Sequence, residues 1–508
     1  MDDTNSPVKE HQPEAAVFSG WRERTIILLF CLLAAVHVLI FSAAFPFFNN
    51  VDEQQHFDLV VKYSEGRVPR AVEPPTAETS DYIAVYNTFE YLWPSNDFPA
   101  AKFPPPWTLP MEKVAPMLAS RAAAWNKTVN QESSQPPLYY AFAGAWWQLG
   151  KTLGLHDAVL LYLLRFINIF IATALVWLGY LAVKLIFPGN FFIRMGVPAL
   201  VALIPQSAFY SIQNDALSPV CFGAAFILII KFLRIEIPDA KLGAAVGLAI
   251  AATFLTKISN LPLLAVAGFV IVCKIFQLIA GKNWHAVSPT ILSLISCAGL
   301  PIIFWLAWIK IHFGDWTGSA EKAQMLGWTL KPFSEWFHHP IFKPRGFWVF
   351  LSGNLETFWQ GEILWHRKPL ALTAANLFYA LLSIIFIGAT TFNLLRVSEN
   401  AAQRHALGFA LICSVASLGF FAFLSIIYDF HNCYYPSREH PYFTSGRLLL
   451  GVLIPFLLLF VYGLDRLLNR FGTATKFAAL GLIILAMPTL EVATDWPVFF
   501  SQYNWFHM

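Results

Sequence analysis

Asp52 and Glu53 stand side by side where a long apolar run stops, in "FFNNVDEQQHFDL", and His56 follows close behind. On a helix, residues three and four apart share a face, so the three side chains would crowd together. Carboxylates beside a low-dielectric boundary tend towards raised pKa values, which suits a general base near neutral pH. The same trio also suits the polar first turn of a surface helix, where the dipole favours acids.

Other polar residues gather where apolar runs end. "IQNDAL" places Asn214 and Asp215 in a very short turn between two runs, although one of them would serve equally as a helix cap. Lys257 in "FLTKIS" lies at a similar turn, as an anion ligand or as a snorkelling lysine. Arg165 in "LYLLRF" is set inside an apolar run, where arginine is expensive and points to function or to a paired carboxylate. "SSQPPLYY", with Gln135, Tyr139 and Tyr140, reads as a rigid lead-in to a re-entrant or surface helix. "REHPYFTSGRLLLG" brings Arg438, Glu439, His440 and Arg447 to the mouth of a late run. Carboxylates with cations at a water–lipid boundary suit a substrate with a lipid tail and an anionic head. Arginine and lysine would hold a phosphate and stabilise it as a leaving group. A carboxylate would take a proton from an attacking hydroxyl.

The elements that must position these groups are membrane helices. Of 508 residues, 57% are hydrophobic and 13% charged, against about 25% charged in soluble chains. The apolar residues collect in runs long enough to span a bilayer. The expected fold class is an all-α polytopic membrane protein with spans near 25–46, 157–187, 193–212, 216–234, 242–257, 261–280, 287–309, 370–395, 405–428, 446–468 and 474–490. The net charge of +3 does not indicate a nucleic-acid partner in such a chain. Six cysteines scattered singly indicate neither a disulfide framework nor a Cys-based metal cluster. No Walker loop, dinucleotide-binding glycine pattern or HExxH occurs.

Basic residues in the short connections orient the spans. With a cytoplasmic N-terminus, they fall inside from Arg22 and Arg24 through Lys184, Arg194, Lys231, Lys282 and Arg396 to Lys476, with Lys257 the clear exception. The long connections 47–156, 310–369 and 429–445 then lie outside the cytoplasm, as does the tail from 491. The expected organisation is a cytoplasmic tail (1–24), core helices with the first outer loop (25–309), an aromatic-rich outer loop (310–369), C-terminal helices (370–490) and an outer tail (491–508). The first outer loop, rich in proline and aromatics, is expected to hold short helices lying on the membrane surface.

A membrane helix followed by a long outer loop that opens on Asp52 and Glu53 is similar to the GT-C superfamily of membrane glycosyltransferases. In order along residues 25–468 come the motifs "NNVDEQQH", "SSQPPLYY", "LYLLRF", "IQNDAL", "FLTKIS" and "TSGRLLL". They look most like a bacterial branch of predicted membrane proteins of unknown function. Val51 stands where that pattern has proline, and Leu448 where it has an aromatic. The resemblance implies a GT-C-like bundle in a bacterial inner membrane. It implies transfer of a sugar from a polyprenyl-phosphate donor to a glycan, lipid or protein acceptor hydroxyl, with inversion. Asp52 would be the base with Glu53 beside it. His56, Gln135, Tyr139, Asn214 and Asp215 would bind substrate, and Arg165, Lys257 and Arg447 the donor phosphate. The metal ligands stay unassigned, with a divalent cation left open. A transporter or flippase of an anionic or lipid-linked solute, or a polysaccharide ligase or polymerase, are the alternatives. Polar residues gathered at one face rather than at the midplane favour the enzyme.

Overall fold

Among the described residues, nine of the apolar runs form helices long and apolar enough to cross a membrane. They are Arg22–Ala44, Asp157–Ile186, Asn214–Arg234, Ile258–Ala280, Trp284–Phe313, Thr373–Arg396, Ala401–Ile427, Gly446–Leu467 and Thr473–Phe499. These come from a computed structural model that describes residues 20–508 except 89, 92, 98–102, 282–283, 397–399, 432 and 434. Most of the expected N-terminal tail, and Lys282, therefore lie outside the described residues. The two remaining runs are shorter apolar helices, Phe191–Ala202 and Ala240–Thr256. The chain is an all-α polytopic membrane protein.

Three boundaries differ from the sequence expectation. The helix expected over 193–212 ends at Ala202, because the residue before Pro205 is pushed out of the helical region. The chain continues through tight turns at Ser207–Tyr210 and Asn214–Leu217, which leave the side chains of 206–215 packed among the helix ends. The second span is two helices, Asp157–Arg165 and Ile167–Ile186, stepped at Phe166. The last helix runs on to Phe499, so the tail expected from 491 begins as helix.

With no hydrophobic drive between helices in lipid, close packing relies on small residues. Gly243 and Gly247 illustrate this, for an added Cβ would lie 2.4 Å from the Thr290 carbonyl oxygen and 2.5 Å from that of Leu294. The backbone of Ala240–Thr256, which ends at Lys257, is thereby seated on Trp284–Phe313. Gly446–Leu467 is almost wholly enclosed by the other helices and carries Arg447 at its first turn.

The first long connection holds the helices Glu53–Ser64, Ala77–Tyr86, Met111–Trp125 and Leu138–Thr152. The second holds Ala320–Met325, Phe333–Trp336 and Pro344–Gln360. Strand pairing among the described residues is minimal: Thr329–Leu330 with Tyr428–Asp429, and Leu364–Trp365 with Lys368–Pro369. One isolated antiparallel bridge, Asn50 to Ile363, fastens the opening of the first connection to the end of the second.

Candidate functional site

That bridge sets Asp52 against the segment 361–363. Asn50 is itself anchored, its amide nitrogen donating to the Ser207 carbonyl at 3.1 Å and to Ser211 Oγ at 3.1 Å. The Val51 backbone N–H donates to Asn50 Oδ1 at 2.8 Å, a bond proline could not make. Asp52 follows with φ 63°, in the left-handed region, which aspartate tolerates better than most residues. It opens the helix Glu53–Ser64 without capping it by its side chain. The carboxylate points instead to Arg447.

Arg447 is the hub. Its Nη2 lies 3.1 Å from Asp52 Oδ2, its Nη1 3.1 Å from Asp215 Oδ2, and its Nε 2.9 Å from Glu362 Oε2. Gln213 Oε1 accepts from Nη1 at 2.9 Å. Only a planar guanidinium offers this fork of donors to three acids at once. Asp215 does not cap the helix that follows, which starts without a side-chain cap. It bridges Arg447 and Lys257, the latter at 2.5 Å. Asp52 is the most open of these groups, its side chain 24% exposed against 1% for Asp215. Its Oδ1 accepts no hydrogen bond among the described residues.

A second set adjoins the first. Glu132 pairs with Lys322 and accepts from Gln135 Nε2 at 2.5 Å. Gln135 Oε1 in turn accepts from Asn214 Nδ2 at 3.1 Å. Burial opposes ionisation of Glu132, but the fields of Lys322, His56 and Lys257 hold it down to about 2. His56 is buried beneath these groups, its Nδ1 2.6 Å from the Tyr140 hydroxyl. Burial pushes its imidazole down to about 4, with Glu132 pulling up, Lys257 pushing down, and Asp52 and Asp215 pulling up. His56 is thus a neutral ring that joins "DEQQH" to "QPPLYY".

Glu53 faces the other way from Asp52. Both its oxygens meet Arg165, Oε1 with Nε at 2.9 Å and Oε2 with Nη2 at 2.8 Å. They also accept the backbone N–H of Ile212 at 3.0 Å and of Phe48 at 2.8 Å. Arg165 spends its remaining donors on the carbonyls of Ser42, Phe45 and Pro46, at the end of the first span. Its guanidinium carbon stands 4.3 Å from the centre of the Phe47 ring. Glu53 is 0% exposed and Arg165 1%. Tyr139 is buried beside Tyr140, their rings edge to face at 5.5 Å.

Asp52, Asp215, Lys257 and Arg447 therefore share one ion-paired network, Gln135 and Asn214 belong to the Glu132 set that adjoins it, and Glu53 and Arg165 form a closed pair of their own. Arg438 is not brought in, for its guanidinium clasps Asp429 at 2.9 and 3.0 Å on an exposed loop. Sequence reasoning missed Glu132, Lys322 and Glu362. Glu362, the acid after glycine in the aromatic stretch "FWQGEILW", was the one with a visible signal. Asp52, Asp215 and Glu362 converge on a guanidinium, and among the described residues no three His, Cys, Asp or Glu side chains form a metal-ligand set.

A family model described as a predicted membrane protein (DUF2142) matches residues 35–421. No curated protein matches the chain. Among solved structures it is similar to the Archaeoglobus fulgidus oligosaccharyltransferase tethered with an acceptor peptide containing the NVT sequon. The identity is 13% and the TM-score 0.45, with 95% of this chain covered. The chain spans 56% of the length of that structure.

Proposed function

This chain belongs to the DUF2142 family of predicted membrane proteins, and on that premise we propose that it is an integral membrane glycosyltransferase of the GT-C kind. It moves a sugar from a polyprenyl-phosphate donor to an acceptor hydroxyl outside the cytoplasm of a bacterial cell. One observation carries the proposal. Asp52 has one oxygen held by Arg447 and the other without a hydrogen bond among the described residues, at the helix ends, within a cluster that also contains Lys257 and Lys322.

The cluster has four carboxylates, Asp52, Asp215, Glu362 and Glu132, against three cations, Arg447, Lys257 and Lys322. With His56 neutral the balance is one negative charge, so an anionic donor binds by exchange. Its phosphate takes the Nη2 donor of Arg447 from Asp52 and draws on Lys257 and Lys322. Asp52, released from its ion pair, becomes a stronger base and accepts the acceptor's hydroxyl proton. That oxygen bonds to the anomeric carbon as the bond from the carbon to the phosphate oxygen breaks. The transition state has oxocarbenium character and the configuration inverts. The proton ends on Asp52, and the negative charge on the leaving polyprenyl phosphate lies beside Arg447. In this scheme Asp52 alone is the base, Glu53 with Arg165 fixes the turn that presents it, and His56 is a positioning residue.

The test is reconstitution in liposomes with a panel of radiolabelled polyprenyl-phosphate sugars, comparing the wild type with Asp52→Asn. Transfer undiminished in the variant would remove Asp52 as base. Solute uptake into sealed vesicles without sugar transfer would support transport instead.

A further inference from the structure

Behind the segment that carries Glu362 lies a second set of buried acids. Glu491 and Asp495 stand four residues apart on one face of the last helix, near its end at Phe499. Like charges at this spacing repel, and the low dielectric of a membrane span deepens the cost. Glu491 is compensated. Its Oε2 lies 2.7 Å from His37 Nε2, and Oε1 accepts from the Tyr210 hydroxyl. Asp495 is only 6% exposed and accepts no hydrogen bond among the described residues. It looks into a cavity of about 20 Å³, bounded also by Glu491, Thr494, Gln360, Gly361 and Ile363, and none of the described residues that line it is basic.

We propose that this cavity is a binding site for one hard metal cation, distinct from the Arg447 cluster. The volume suits a single water or a desolvated ion. The side-chain donors available are oxygens. Asp495 offers both of its own. Gln360 has its Oε1, since its Nε2 is spent on Asn376 Oδ1 at 2.9 Å. Thr494 has its Oγ1, whose proton goes to the Leu490 carbonyl at 2.8 Å. Carboxylate, amide and hydroxyl oxygens select Na⁺, Mg²⁺ or Ca²⁺ over softer metals. The site has a consequence for its neighbour. Residues 361 and 363 line the cavity, while Glu362 between them turns to Arg447. A bound cation thus ties the last helix to the strip that holds the Arg447 hub. Cation binding itself does not depend on the glycosyl-transfer proposal.

The experiment uses the full chain in detergent, stripped with a chelator and melted in Na⁺, Mg²⁺ or Ca²⁺ with choline as the ionic-strength control. The expected result is a saturable rise in Tm of roughly 3 °C with one of the metals. The rise is absent in Asp495→Asn and retained in Asp52→Asn. Asp495→Asn is close to isosteric. Should it nonetheless fail to fold, equilibrium dialysis of the wild type with the radioactive metal is expected to give one ion per chain. No metal-specific shift, a shift that survives Asp495→Asn, or no bound ion would overturn the site and leave Asp495 holding a proton.

Discussion

Arg447 reaches Asp52 across 395 positions of sequence, Nη2 to Oδ2 at 3.1 Å. The same guanidinium holds Asp215 from the turn before the Ser218–Arg234 helix and Glu362 from the second long connection. One side chain therefore sets the relative positions of three separate segments. Arg447→Lys keeps the charge but loses the fork. Hydrogen bonds to charged groups are each worth about 1.5–3 kcal/mol. On the proposed reaction, the apparent KM for a polyprenyl-phosphate donor should rise roughly 10–100-fold, measured by transfer across a donor titration. An unchanged KM with a fallen kcat would mean that Arg447 does not hold the donor.

Asp52→Asn preserves shape and tolerance of the left-handed backbone but cannot accept a proton. Transfer should fall by about 10²–10⁴-fold, the usual worth of a general base. The melting temperature should stay near that of the wild type, since the lost ion pair is partly open to solvent. Comparable losses of fold and of activity would make Asp52 a scaffold residue.

Glu53 offers the contrast. Its partner Arg165 is fully enclosed, so Glu53→Gln leaves an uncompensated buried charge, at a cost of about 3–5 kcal/mol. The expected phenotype is a large fall in yield and Tm, with the folded remainder still active. The double variant Glu53→Gln, Arg165→Met should recover part of that loss. A stable Glu53→Gln protein without activity would return Glu53 to the reaction.

Much of this was readable from the chain, and the rest failed for physical reasons. Apolar runs of bilayer length gave the helices, because lipid leaves backbone groups no partner but each other. The run at 193–212 deceived because Pro205 ends a helix without ending hydrophobicity. Asp52, Asp215, Lys257 and Arg447 were visible as polar residues where apolar runs stop, and the structure joins them in one ion-paired network. That Glu53 turns away was not visible, since Asp52 precedes the helix in a left-handed turn while Glu53 begins it, and no local signal announces that turn or says which carboxylate faces the hub. Glu132 and Lys322 sit in connections whose path is set by tertiary packing. Glu491 and Asp495 fell in a stretch expected to be an outer tail.

His56 predicts a pH response. Its folded-state pKa is about 4, below the unfolded value of about 6.5. Between those values the unfolded chain binds a proton that the folded chain refuses, so stability falls as pH drops through this window. Above about 6.5 the contribution is complete. The total is on the order of 3 kcal/mol. Glu132, held to about 2, loses its own contribution as pH falls from its unfolded value near 4.3 towards 2. Melting curves from pH 7 to 4 should therefore slope steadily in the wild type and flatten in His56→Gln. An equal slope in both would place the titration elsewhere.

Gly361 tests the frame behind Glu362. Its φ is +84°, and an added Cβ would lie 2.0 Å from Ser207 Oγ and 2.5 Å from Gln206 Oε1. Gln206 cannot easily give way, since its Nε2 is tied to the carbonyls of Thr357 at 3.0 Å and Phe358 at 2.7 Å. Gly361→Ala must therefore move the strip itself, straining the Asn50–Ile363 bridge and carrying Glu362 from Arg447. A stability loss of about 1–3 kcal/mol is expected, with transfer reduced by more than the fraction unfolded. Glu362→Gln separates the two effects. It leaves the backbone undisturbed, so Tm should hold while transfer falls about 10-fold, one charged hydrogen bond's worth. Should Gly361→Ala melt and transfer like the wild type, the strip is not what positions Glu362, and the hub is held by Arg447 alone.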